Sequence, residues 1–120
     1  MAAPPFDALY GLEIEAATAE EARGAVPVSD GVRQPAGLVH GGVYASMAES
    51  LAVAATEAAT GRTAAGHSSQ TSFVRPITAG TVHATGRPRH TGRSTWVWEF
   101  DVTDDGGRLC ALVRMTLALR

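Results

Sequence analysis

Residues 37–59 read Gly37-Leu-Val-His40-Gly-Gly-Val-Tyr44-Ala-Ser-Met47-Ala-Glu49-Ser-Leu51-Ala-Val-Ala-Ala-Thr-Glu57-Ala-Ala59, and this stretch decides the fold because no other in the chain supports a long helix. A glycine-rich turn carrying His40 runs directly into an alanine-rich segment, and Thr60-Gly61 supplies a glycine stop. The first peptide N–H groups of such a helix, at Gly41 and Gly42, lack helical acceptors and carry the positive end of the macrodipole. An end of this kind suits an oxyanion. Glu49 comes nine residues after His40, and nine residues at ~1.5 Å rise is roughly 13 Å along the axis. The two groups are too far apart to serve one small substrate atom, so one copy of the helix does not make a whole site.

Projected at about 100° per residue, Val43, Tyr44, Met47, Leu51 and Ala54 form one stripe, the expected core face. Glu49 lies opposite, flanked by Ala45, Ala52 and Val53 on one side and by Ser46, Ser50 and Glu57 on the other. A lone glutamate on a helix is ordinarily a solvated outer-face residue. The alanines beside this one argue differently, because they permit another backbone to approach and cover the carboxylate.

Upstream of the helix, Leu12–Glu15 alternates as a short strand and Glu21–Val28 alternates again, with Ala22, Gly24, Val26 and Val28 on one face, before Ser29-Asp30-Gly31 turns the chain. A hairpin is expected, then a loop to Val39 in which Pro35 keeps Gln34 extended. Downstream of Gly66 the pattern is all β. The expected strands are His67–Arg75, polar on both faces, and Thr81–Arg89, with Gly86 marking a bulge. Thr95–Thr103 is the clearest, setting Trp96, Trp98, Phe100 and Val102 on one face. After the turn Asp104-Asp105-Gly106-Gly107, the last strand places Leu109, Ala111, Val113, Met115, Leu117 and Leu119 on the core face, with Cys110 near its middle. The layout is β-β-α-β-β-β-β, an α+β chain with five or six antiparallel strands and one long helix.

One helix covers only one face of such a sheet, and the other face or the edge needs a partner. Charged residues make up 18% of the chain, below the ~25% of an ordinary soluble domain, which also points to surface covered by other copies. At 120 residues the chain is expected to form a single domain over 1–120. A net charge of −2 and a pI near 6.0 give no basic footprint for nucleic acid. The basic residues are arginines placed mostly after residue 60, which leaves room for selective anion contacts. The single cysteine excludes an intrachain disulfide framework and a CxxC metal site and agrees with a cytoplasmic setting. Neither a leader pattern nor an apolar run approaching the ~18 residues of a membrane span is expected from the sequence.

The order Gln34, His40-Gly41-Gly42 and Glu49, on a helix between a leading hairpin and a run of antiparallel strands, resembles the hotdog-fold acyl-CoA thioesterases. Within them it is most similar to the branch of the Arthrobacter 4-hydroxybenzoyl-CoA thioesterase and the PaaI-like enzymes. The resemblance covers nearly the whole chain, and its specific core runs from Gln34 to Glu49. It implies a helix wrapped by the sheet and two protomers, as a dimer or a dimer of dimers, forming two sites across their interface. It implies that the amide of Gly41 polarises the thioester carbonyl while Glu49 of the other subunit acts as nucleophile or as general base on water. His40 would support the turn and the thioester end, and Gln34 would position the thioester or the water. Glu rather than Asp at 49 leans towards the aryl-CoA enzymes. One departure stands out: the branch tends to place a threonine one turn after the acid, where this chain has Val53, leaving Ser50 or Thr56 as substitutes.

The implied substrate is an acyl-CoA, with no cofactor. Gly42, Arg75, Arg93, Ser94 and Thr95 are the expected substrate contacts, because guanidinium forks and hydroxyls suit phosphate oxygens. The turn Thr91–Thr95 matches where the family contacts the nucleotide. His67, His83 and His90 have no metal-ligand spacing, Cys110 has no evident activating partner, and Ser68-Ser69 has no Gly-x-Ser-x-Gly context. The rival readings are a non-catalytic acyl-CoA-binding hotdog protein, a thioesterase acting on acyl carrier protein, and a hotdog hydratase, the last disfavoured by the absence of its typical Asp and His pair.

Overall fold

The computed structural model describes residues 4–120. Its elements are α1 (Pro5–Tyr10), β1 (Glu13–Ala17), β2 (Ala22–Pro27), a 3-10 turn (Asp30–Val32), α2 (Gly41–Thr60), β3 (Ala64–Phe73), β4 (Thr81–Thr91), β5 (Thr95–Thr103) and β6 (Leu109–Leu119). The strands form one antiparallel six-stranded sheet in the order β1-β2-β4-β5-β6-β3. The sheet wraps α2, which touches all six strands. This is the hotdog arrangement expected from the resemblance.

Local chemistry sets the helix ends. In α2 the ring of His40 caps the start, and Gly61 ends it at φ 68° with its N–H on the Glu57 carbonyl at 2.9 Å. The short α1 lies outside the expected layout. It starts on Pro5, where a missing N–H costs nothing, and stops at Gly11 with φ 82°.

The buried face of α2 is Val43, Tyr44, Met47, Ala48, Leu51, Ala52, Ala55 and Thr56. It is broader than the projected stripe because a curved sheet covers the helix from two sides. Ala55 replaces Ala54, which is only partly buried, and Ala52 is core rather than a neighbour of the outer face. On the sheet side, Trp96, Trp98 and Phe100 stack in a row with centroids 6.2 and 6.1 Å apart. The indole N–H of Trp98 donates to Thr56 Oγ1 at 2.9 Å, both residues being fully buried.

Several strand expectations are corrected. β3 begins at Ala64 and ends at Phe73, leaving Val74 and Arg75 beyond it, and β4 continues past Arg89 to Thr91. β1 starts at Glu13, with Leu12 buried just before it. Gly86 is no bulge: it pairs in register with Ala22 and Phe100, and its bare Cα makes room for the Phe100 ring. The irregularity in β4 lies between Pro88 and His90. Leu109 is exposed at the mouth of β6, and Cys110 is buried at that strand's start.

The two edges of the sheet differ. β1 is five residues long, carries Glu13 and Glu15, and breaks register between Ile14 and Ala16. β3 is ten residues long, pairs among the described residues only with β6, and contains no Asp, Glu, Lys or Arg. His67 is an extra residue, since Gly66 pairs with Leu117 and Ser68 with Thr116. On the inner face of β3, Gly66, Ser69, Thr71 and Phe73 stand opposite the buried Leu117, Met115, Val113 and Ala111. Ser69 and Phe73 are nevertheless exposed, although Phe73 reaches Gly41 and Tyr44 at the start of α2.

Candidate active site

The start of α2 is laced to its surroundings through the backbone. His40 N–H donates to the Val32 carbonyl at 2.8 Å, Val39 N–H to Ile77 at 2.8 Å, and Val43 N–H to His40 at 3.0 Å. Nδ1 of His40 accepts from the Gly42 N–H at 2.8 Å. That bond corrects the expectation of two vacant amides: Gly42 is engaged by the imidazole, and Gly41, the first helical residue, keeps an N–H with no helical acceptor. Gln34 lies in a turn closed by Gln34 N–H to Leu38 at 2.7 Å and Gly37 N–H to Gln34 at 2.9 Å, while its Oε1 accepts from the Ala36 N–H. Gln34, Gly41, Tyr44, Phe73 and Arg75 together line a cleft of about 360 Å³.

Glu49 is exposed on the opposite flank of α2, in a second cleft of about 460 Å³ lined also by Phe6, Ile14, Ser46, Val53 and Ala54. Its carboxylate lies against the backbone of Gly66: a Cβ there would stand 3.0 Å from Oε2 and 3.1 Å from Cδ. Behind it is a polar cluster the sequence did not disclose. Asp7, only 4% exposed, accepts from Ser50 Oγ at 2.6 Å, and the buried hydroxyl of Tyr10 has no hydrogen-bond partner among the described residues. Burial pushes the Tyr10 pKa up to about 12; the Ser50 hydroxyl pulls the other way and the Asp7 charge adds to the rise. The sequence signal that was available is Pro4-Pro5 followed by Gly11, the start and stop of α1.

Within one chain, Gln34, Gly41 and Arg75 come together and Glu49 does not join them. Arg93, Ser94 and Thr95 lie on the β4–β5 turn, where Thr95 pairs with Ala118 and Ala118 with Ala65. Phe73, beside Gly41, pairs with Ala111 at the other end of the same ladder. The turn is held by Gly92 N–H to Thr95 at 2.9 Å, Leu119 N–H to Ser94 at 3.0 Å, and the Arg62 guanidinium on the Arg93 carbonyl. Neither Arg75 nor Arg93 has an ion pair among the described residues.

Of the two residues offered in place of the missing threonine, Thr56 is ruled out because its hydroxyl faces the core and holds Trp98. Ser50 borders the Glu49 cleft, with its proton given to Asp7. Burial raises the Cys110 thiol pKa, which is the wrong direction for a nucleophile. His83 pairs with Asp105 at 2.8 Å, and no group of His, Cys, Asp and Glu among the described residues is arranged to hold a metal ion. Nor is any described helix long and apolar enough to cross a membrane.

One flank of the wrapped helix thus carries the vacant Gly41 amide and the other the Glu49 carboxylate, in separate clefts. The family model described as Thioesterase superfamily matches residues 36–111. The chain belongs to the thioesterase superfamily. Thioester hydrolysis is accordingly its class of activity. Among relatives of this thioesterase, the proofreading thioesterase EntH of Klebsiella pneumoniae is 36% identical over 96 residues, which are 78% of this chain and 70% of that one. Among solved structures, thioesterase HI1161 from Haemophilus influenzae superposes with a TM-score of 0.89 at 30% identity, covering 96% of this chain and 82% of the other. The Rv1847/MT1895 protein of Mycobacterium tuberculosis reaches a TM-score of 0.94 at 35% identity, covering 98% and 97%.

Proposed function

We propose that this thioesterase is a single-domain acyl-CoA hydrolase of the branch that holds the Arthrobacter 4-hydroxybenzoyl-CoA and PaaI-like enzymes, and that it works as a dimer joined along β3. The observation that carries the reading is the placement of Gly66 and Phe73 on one face of a free strand edge. Gly66 lies beside Glu49, and Phe73 beside Gly41. If two β3 edges pair antiparallel about a dyad at Gln70, Ser69 of one copy stands opposite Thr71 of the other. The extra residue at His67 then brings Gly66 opposite Phe73 of the second copy. Glu49 of one chain is thereby delivered to Gly41 of the other, and the roughly 13 Å between His40 and Glu49 along one helix ceases to matter.

In that composite site the thioester oxygen accepts from the Gly41 N–H, at the positive end of α2, and from the Gln34 amide. A single such donor aimed at a developing oxyanion contributes about 3–4 kcal/mol to the transition state. Glu49 of the second copy attacks the carbonyl carbon, or takes a proton from water that does so. The C–S bond breaks in either case and the sulfur leaves as the thiol of CoA with a proton from water; direct attack by Glu49 leaves a mixed anhydride that water then hydrolyses, whereas attack by water releases the acyl group as a carboxylate at once. His40, fixed as the cap of α2, holds the turn. Arg75 on one copy and Arg93, Ser94 and Thr95 on the other flank the route by which the nucleotide leaves the site.

A thiol-release screen over aryl, short and long acyl-CoAs tests the reading, with Glu49→Gln as control. The variant should keep its fold and bind ligand while kcat falls by about 10²–10⁴. Retention of most of the kcat on a good substrate would refute the assignment.

A further inference from the structure

Gly41 is crowded on one side by an aromatic ring. A Cβ built on it would lie 2.5 Å from Cε1 and 2.6 Å from Cζ of Phe73, so the ring edge occupies the space a side chain at 41 would fill. This ring is not a loose surface group. Its centroid is 6.2 Å from that of the buried Tyr44, tilted at 45°. Its backbone is pinned just downstream, where the N–H groups of Val74 and Arg75 both donate to the Cys110 carbonyl, at 2.8 and 3.0 Å. Across the ladder it faces Ala111, the small residue that leaves it room. Yet 67% of Phe73 remains open to solvent, at the mouth of the cleft shared by Gln34, Gly41 and Arg75. The ring thus covers Tyr44 with one edge and Gly41 with another, while its remaining surface lies along the β3 edge.

We propose that Phe73 is a positioning residue for the thioester: its ring, locked over Gly41, closes one flank of the helix start to water and admits the carbonyl only from the Gln34 and Arg75 side. The proposal rests on the acyl-CoA thioesterase reading above. Excluding water beside the Gly41 N–H strengthens its hydrogen bond to a developing oxyanion more than its bond to a neutral carbonyl, since a lower local dielectric magnifies the charged interaction most. The effect therefore belongs in kcat rather than in KM.

The experiment compares Phe73→Ala, Phe73→Leu, Gly41→Ala and the Gly41→Ala/Phe73→Ala double variant with wild type, on an acyl-CoA that wild type hydrolyses. Phe73→Ala should lower kcat about tenfold or more with KM within about threefold, and Phe73→Leu, which restores apolar cover, should recover most of it. Thermal melting reports the packing independently of turnover. Gly41→Ala should lower Tm in the wild-type background and much less in the Phe73→Ala background, because the ring it collides with is gone. A Phe73→Ala kcat within twofold of wild type, a loss confined to KM, or additive melting shifts would each overturn the assignment. A wild type that releases thiol from no acyl-CoA would instead sink the thioesterase reading as a whole.

Discussion

If each site takes Gly41 and Gln34 from one chain and Glu49 from the other, two inactive variants should rescue one another. Consider Glu49→Gln paired with Gln34→Ala. As homodimers both are impaired at every site: Glu49→Gln by about 10²–10⁴ as a lost base or nucleophile, and Gln34→Ala by roughly 10² as a lost donor to the oxyanion. Co-expressed with different tags and purified through both, they yield a heterodimer. One of its two sites combines Gln34→Ala with Glu49→Gln and is dead. The other combines the native Gln34 and Gly41 of the first chain with the native Glu49 of the second, and is intact. The heterodimer should therefore run at about half the wild-type kcat per dimer, tens of times above either parent. The same number holds if two dimers associate further, since the count is made per pair of β3 edges. A heterodimer no faster than the mean of its parents would mean that each chain closes its own site, and would refute the argument from Gly66 and Phe73.

Three further outcomes follow from particular contacts. Thr56→Val keeps shape but strips the buried Trp98 N–H of its acceptor, so the urea midpoint should fall by the equivalent of about 1–3 kcal/mol with an unchanged m-value; an unmoved midpoint would show the indole to be satisfied elsewhere. The folded-state pKa of Tyr10, about 12, lies above its unfolded value of 10.0, so the folded state holds its proton longer, and the stability present below pH 10 is lost as pH rises from 10 to 12. Tyr44 and Cys110, whose pKa values burial also raises, lose stability in the same direction, so the Tyr10 share is the difference between wild type and Tyr10→Phe; discounted for partial solvent exposure it should be about 1–2 kcal/mol, as read from denaturation midpoints. For Arg93, removal of one charge-assisted phosphate contact should weaken binding about ten- to a hundredfold. Wild type should then prefer a CoA thioester over its pantetheine counterpart and Arg93→Ala should lose much of that preference; equal kcat/KM for both in wild type would show that the nucleotide is not recognised.

The elements legible in the sequence were those whose burial is settled within one chain. Trp96, Trp98, Phe100 and Val102 alternate because both the strand period and the core lie inside the protomer, and β5 runs over the expected residues. The Gly61 stop was readable from local backbone chemistry, whereas the imidazole on the Gly42 N–H and the hydrogen-bonded turn at Gln34 were not. β3 read as polar on both faces because most of its residues, those on the inner face included, stay exposed in the single chain, so no alternation marks it. Glu49 read as an outer-face residue for the same reason. Gly66 and Phe73 carry no local signal at all: the one matters only through Glu49 and the other only through Gly41, contacts made across the fold. The six residues of α1 are too few for a helical period, which hid Asp7 as a buried acid. Gly86 misled because a glycine that clears space for a ring across the ladder looks, in sequence, the same as one that bends a strand.

The unequal edges of the sheet govern how far it can grow. An open sheet with two receptive edges is a template for endless strand addition, the route to fibres. Here β1 offers a short, irregular edge carrying Glu13 and Glu15, on which an incoming strand would meet negative charge and broken register. The uncharged β3 edge, in contrast, can be consumed once, by a copy of itself. Extension by self-pairing thus uses up the single receptive edge and leaves an acidic one at each end. Replacing Glu13 and Glu15 by threonine would remove that stop, and the same pairing chemistry that closes a pair would then be free to polymerise.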